Sequence, residues 1–247
     1  MSGVLRSTLA LAYLLSMESI SFAQKTGAVR ESKASFESGG KKIAVEIYSP
    51  EAGANGAGIL VLHGAGGMFM DGPAIRRFAR ALAQNGFESF VVHYFDRTGR
   101  LFARDAAINK NFDAWRSTVN DAVDYIAARP EVKRIGCFGY SLGAYLSLAQ
   151  AAHDPRIGAV VELAGAIDKE HAGLVKRLPP ILILHGKEDR RVSSENAYRL
   201  EKLLQRLGVP CEIKIYSGEG HVLSTASQRD AAKRAAHFFQ QHLRGQL

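Results

Sequence analysis

Cysteine is scarce in this chain: its 247 residues hold only Cys137 and Cys211. At most one disulfide is possible, so a fold built on a framework of bridges is excluded. Glycine (24) and proline (7) are not in excess, which argues against a low-complexity chain. No apolar run reaches the roughly 20 residues that a membrane-spanning helix needs. No internal repeat and no nucleic-acid motif is present, so the formal charge of +8 does not by itself imply a nucleic-acid partner. The cations are interleaved with acids along the helical stretches, as on solvated faces.

What is there is a globular composition, 47% hydrophobic, in a length that suits one sizeable domain. The N-terminus is set apart. Arg6 is followed by a short apolar run, 9–15, and then by small residues ending in Ser21-Phe22-Ala23. This is the pattern of a secretory signal cut after Ala23. Residues 1–23 are therefore expected to be a signal peptide and 24–247 a single domain, secreted or periplasmic, with no stable membrane insertion after cleavage.

Along 24–247 the hydrophobic period alternates. After a leader at 24–31, strands are expected at 33–37 and 42–48, joined at Ser38-Gly39-Gly40 as a hairpin. Continuous apolar runs at 59–62, 135–140, 157–163 and 181–184 read as strands covered on both faces. Further strands are expected at 87–95 and 212–216. Between them lie helical stripes: Ile75, Phe78 and Leu82 after Asp71-Gly72-Pro73; Trp115, Val119, Ala122 and Ile126; Leu142, Tyr145 and Leu146; Ala197, Leu200 and Leu204, stopping at Gly208. A last helix is expected at 232–243. Strands alternating with helices imply a mostly parallel, doubly wound sheet, with the hairpin as an antiparallel edge. The stretch 165–179 is too short for a cap domain. Cys137 and Cys211 fall on strands that are not neighbours, so they read as two small buried hydrophobes.

Gly139-Tyr140-Ser141-Leu142-Gly143 has the form G-x-S-x-G between a buried strand and a helix. A serine raised on so sharp a turn crowds the residues two before and two after it, and glycine avoids the clash. Cys137 lies inside the strand with no basic neighbour to lower its pKa, so Ser141 is the candidate nucleophile. A serine hydroxyl needs a base. In a parallel sheet the loops that leave the strand ends share one edge, and two of them carry Asp189 and His221. The order Ser141, Asp189, His221 suits a catalytic triad. Glu188 is the alternative acid, and His63, His93 and His185 are the alternative bases. An oxyanion hole takes one amide from the residue after the nucleophile, Leu142, and one from the loop His63-Gly64-Ala65-Gly66-Gly67, with Ala65 first and Gly66 next. That loop lacks the lysine of a phosphate-binding loop. Met68 and Tyr140 flank the centre as candidate substrate-binding residues. So does Arg97, in an expected loop at 96–112 that also carries Arg100, Arg104 and Lys110.

HGAGGM, VVHYFDRTG, FGYSLGAYLSL, ILHGKEDRRV and GEGHVL, in that order, resemble the dienelactone hydrolase-type members of the α/β-hydrolase superfamily, from Gly58 to the C-terminus. The resemblance implies an α/β-hydrolase fold and a hydrolase of small-molecule esters, lactones or thioesters, working without metal or cofactor. Dienelactone hydrolases proper carry cysteine where this chain has Ser141, which points to a serine ester hydrolase acting through an acyl-enzyme. A peptidase or acyltransferase on the same triad, and a non-catalytic binding module, are the competing readings.

Overall fold

The computed structural model describes residues 27–167, 173 and 175–243. The expected signal peptide at 1–23 lies outside the described residues. Eight strands form one sheet in the order β1-β2-β4-β3-β5-β6-β7-β8. These are β1 (Val29–Ser38), β2 (Lys41–Pro50), β3 (Ala57–Leu62), β4 (Glu88–Val92), β5 (Arg134–Tyr140), β6 (Ile157–Leu163), β7 (Ile181–Gly186) and β8 (Cys211–Tyr216). From β4 to β8 all neighbours are parallel. β1 and β2 pair antiparallel, and β2 joins β4 antiparallel.

Burial follows position in the sheet. β3 and β7 are buried at every residue, in keeping with the apolar runs at 59–62 and 181–184. β1, at the edge, is mostly exposed. Helices α3 (Asp105–Ala127), α4 (Leu142–His153) and α5 (Glu195–Leu207) cover one face, and their stripes pack with Leu60, Leu62, Cys137 and Val160. Helices α2 (Gly72–Ala83) and α6 (Thr225–His242) cover the other, packing with Ile59, Val61, Phe138 and Val161. A short α1 (Gly67–Met70) precedes α2. No described helix is long and apolar enough to cross a membrane.

Several boundaries differ from the sequence expectation. The leader at 24–31 is strand from Val29 onward, because β2 offers it a full ladder of partners. The strand expected to reach residue 95 ends at Val92 and gives way to a 3₁₀ turn, Tyr94–Thr98, whose aromatic rings pack inward on Trp115. The loop expected at 96–112 is helical from Asp105. The last helix begins at Thr225, where the Ser224 hydroxyl caps it by accepting from the Ser227 amide. Cys211 is only half-buried, since β8 is an edge strand. Cys137 and Cys211 are free thiols on strands separated by β6 and β7. Between β6 and β7 the described residues, 164–167, 173 and 175–180, hold no helix or strand. The remainder of that connection, expected to carry no cap, lies outside the described residues.

Candidate active site

Ser141 stands between β5 and α4 with φ 51° and ψ −119°. That is a left-handed, strained backbone, costing about 1–3 kcal/mol for a residue with a side chain. Its surroundings fix it there. The Ser141 amide donates to Leu163 O at 2.8 Å. A Cβ on Gly139 would lie 2.3 Å from Gly143 O, and one on Gly143 would lie 2.5 Å from Leu62 O. Both glycines are therefore demanded by backbone packed against backbone, as the sharp turn implied.

The loops after β7 and β8 are locked together. Lys187 N donates to Tyr216 O and Glu188 N to Glu219 O, each at 2.9 Å, and Gly186 leaves no room for a Cβ against Gly220 O. This pairing carries His221 to Asp189. His221 Nδ1 lies 2.7 Å from Asp189 Oδ2, and Nε2 lies 2.9 Å from Ser141 Oγ. Asp189 is buried, which alone would raise its pKa. His221 and the amides of Val192 and Arg191 outweigh burial and hold the carboxyl below its usual range. An ionised carboxylate only accepts, so Nδ1 carries the proton and Nε2 is left to accept from the serine hydroxyl. Hydroxyl, imidazole and carboxylate thus meet across 80 residues of chain.

The other candidates are placed elsewhere or used otherwise. Glu188 is exposed and contributes its amide to the loop pairing. His63 is buried, stacks on Tyr94 at 4.1 Å and has its pKa pushed down to about 3 by burial. His93 Nε2 meets Glu46 Oε1 at 2.9 Å. His185 is buried beside the acid. Its Nε2 meets Val192 O at 2.8 Å and stands 3.2 Å from Asp189 Oδ2. Burial lowers its pKa and its Nδ1 has no partner. Cys137 is fully buried and its thiol is pushed up to about 12 by burial.

Leu142 opens α4, where a first-turn amide has no helical acceptor. Ala65 O accepts from Ala103 N at 2.8 Å, tethering the loop from one side. Gly66 is pressed against Asp71: a Cβ there would lie 2.6 Å from Asp71 Oδ1.

Tyr140 sits at the centre: its ring is 5.4 Å from that of His221 and its hydroxyl donates to His221 O at 3.3 Å. Met68, on α1, packs against the α2 and α6 face of the core. Arg97 does not join the site. Its guanidinium occupies the space a Gly39 side chain would fill, and Gly39 lies in the β1–β2 turn, four strand positions from β5. The 3₁₀ turn, invisible in the hydrophobic pattern, is what aims it there.

Sequence reading also passed over an apolar fringe. Phe69 and Met70 follow the Ala65 loop, and Leu101 and Phe102 are tied to it through Ala103. Val222 follows His221. All five are exposed, Phe69 by 76% and Val222 by 70%. Asp71 was read only as part of a helix start. Among the described residues, no group of His, Cys, Asp and Glu is arranged to hold a metal ion.

A parallel sheet with a serine on the strand–helix turn after β5, and loops beyond its carboxyl edge, defines the α/β-hydrolase class. The sequence profile of the Dienelactone hydrolase family matches residues 43–243. The chain belongs to that family and is a carboxylic ester hydrolase. Among curated relatives, Protein usf of Aquifex pyrophilus is 26% identical over 208 residues, covering 79% of this chain and 87% of that one. The carboxymethylenebutenolidase of Rhodococcus opacus is 26% identical over 196 residues, covering 69% and 77%. A dienelactone hydrolase structure from Anabaena variabilis superposes with a TM-score of 0.70 at 23% identity over 87% of this chain and 99% of that one, a likeness of fold.

Proposed function

We propose that this protein is a serine hydrolase that cleaves small, uncharged carboxylic esters, lactones or thioesters through an acyl-enzyme on Ser141. The observation that carries the reading is the continuous chain from Ser141 Oγ through His221 to Asp189, with contacts of 2.9 and 2.7 Å. His221 takes the serine proton as Oγ attacks the carbonyl, then donates it to the leaving group. Asp189 keeps the imidazole in the required tautomer and stabilises the imidazolium, while the amides of Leu142 and Ala65 receive the oxyanion. Water, activated by the same imidazole, then releases the acid.

The substrate reading rests on the fringe. Phe69, Leu101 and Val222 present apolar surface beside the reaction loops, and the Arg97 guanidinium is held against Gly39. This favours apolar groups over anionic ones. Export is proposed on the sequence pattern of residues 1–23 alone, and the N-terminal residue of the protein recovered from the cell checks it.

The test uses activated short-chain esters with purified protein. A burst of alcohol release is expected, with a fluorophosphonate label on Ser141. In Ser141→Ala the burst and the label disappear and kcat falls by about 10⁴-fold or more. A label on Cys137, or turnover unchanged in Ser141→Ala, sinks the proposal.

A further inference from the structure

Asp71 lies between α1 and α2, close behind the loop that carries Ala65. Its backbone is fixed: the amide donates to Gly67 O at 2.9 Å, and its carbonyl accepts from Ala74 N and Ile75 N at 3.0 Å. The side chain is not used as a helix cap. It turns instead into the loop. A Cβ on Gly64 would come 2.8 Å from Asp71 Oδ2, and one on Gly66 would come 2.6 Å from Oδ1. So the two glycines flanking Ala65 are both pressed against this one carboxyl.

Burial raises its pKa, against the opposing pull of the neighbouring Gly66 and Gly64 amides. Yet Oδ2 is buried with no completed hydrogen bond. A buried acceptor left in that state is costly, of the order of a lost hydrogen bond. The loop therefore gains by closing onto it. Hydrogen bonds of this kind are often long in a free enzyme and tighten when the reacting group is bound.

Resting on the reading above, we propose that Asp71 is a positioning residue for the oxyanion loop. Its carboxyl gathers the amides of Gly64 and Gly66 behind the loop and leaves the Ala65 amide between them facing the substrate carbonyl on Ser141. The Ala103 amide on Ala65 O holds the other side, so the loop is clamped from two directions. Asp71 itself touches neither nucleophile nor substrate.

Asp71→Ala and Asp71→Asn test this beside the wild type, by kcat, KM and fluorophosphonate labelling rate on the same short esters. In Asp71→Ala, kcat and labelling rate are expected to fall by about 10-fold to 100-fold, as for a weakened oxyanion donor, with KM within about twofold because ground-state binding does not use the loop amide. Asp71→Asn keeps an acceptor oxygen and is expected to recover at least half of that loss on a logarithmic scale. A merely structural role would lower the melting temperature without separating kcat from KM. If Asp71→Ala fails to fold, Asp71→Asn alone decides, by a kcat loss of about threefold to tenfold at constant KM.

A kcat within twofold of wild type in Asp71→Ala, or in Asp71→Asn should Asp71→Ala fail to fold, overturns the clamp. So does a loss expressed wholly in KM, or an Asp71→Asn variant as impaired as Asp71→Ala. A wild type that takes no fluorophosphonate label on Ser141 and turns over none of the esters overturns the serine-hydrolase reading and the clamp with it. A wild-type burst with unimpaired Asp71 variants overturns the clamp alone.

Discussion

Asp189–His221 and Glu46–His93 are both close carboxylate–histidine pairs, and only the first stands beside a nucleophile. Asp189 meets His221 at 2.7 Å, and the far nitrogen of that ring meets Ser141. Glu46 meets His93 at 2.9 Å, with Arg76 forked on both carboxylate oxygens at 2.7 and 2.8 Å and the Tyr48 hydroxyl at 3.1 Å. The second pair is the richer network by contact, yet it has no hydroxyl positioned for attack and no strained turn. Burial would raise the Glu46 pKa, but His93 and Arg76 outweigh it and hold the carboxyl far below its usual range. Such a network fastens β2 to α2 and to the end of β4. The Asp189 pair lies where strand ends and free amides converge, so the same chemical motif is available for proton transfer.

The comparison is broken most severely at Asp189. Asp189→Asn removes the acceptor that fixes the His221 tautomer, and kcat is expected to fall by about 10³–10⁴-fold with little change in the melting temperature. If activity survives within tenfold, the pair beside Ser141 is no more catalytic than the pair at Glu46.

Glu46→Gln sharpens the contrast from the other side. Activity is expected to stay within about threefold, while stability falls by about 2 kcal/mol as Arg76 and His93 lose a charged partner. The pH dependence has a definite sign. The folded pKa of Glu46 is depressed, so its stabilisation is present above the unfolded value near 4.5 and is lost as pH falls below it. Denaturant titrations at pH 7 and pH 3 are expected to show the wild-type advantage shrinking in acid.

The smallest effect concerns a carboxyl with no histidine at all. Glu162 is fully buried on β6, Oε2 accepts only from the Gly165 amide at 2.8 Å, and burial pushes its pKa up to about 8. Here the folded state holds the proton more tightly than the unfolded one, so stability declines as pH rises from about 4.5 towards 8. Glu162→Gln is expected to melt with the wild type at pH 5 and a few degrees above it at pH 9. Equal melting at both values would show that Glu162 is already ionised and otherwise paired.

The fold was legible because its signals are local and repeated. Apolar runs at β3, β5, β6 and β7, striped helices between them and Gly208 with φ 65° at a helix end each report burial or backbone geometry through residue type alone. Ser141, Asp189 and His221 were legible because strand ends of a parallel sheet share an edge, so order along the chain implied meeting in space. Arg97 was misjudged because a 3₁₀ turn leaves no hydrophobic period. Asp71 escaped for a similar reason: it packs against two glycines that a loop turns towards it.

Sequence alone therefore settled the alternation of strand and helix, the two buried faces and the serine turn with its obligatory glycines, since these follow from side-chain size and polarity. Only the tertiary structure decided how closely His221 approaches the serine and where the Arg97 guanidinium is drawn away. Those are matters of direction over a few ångströms, fixed by packing between segments that share no local signal.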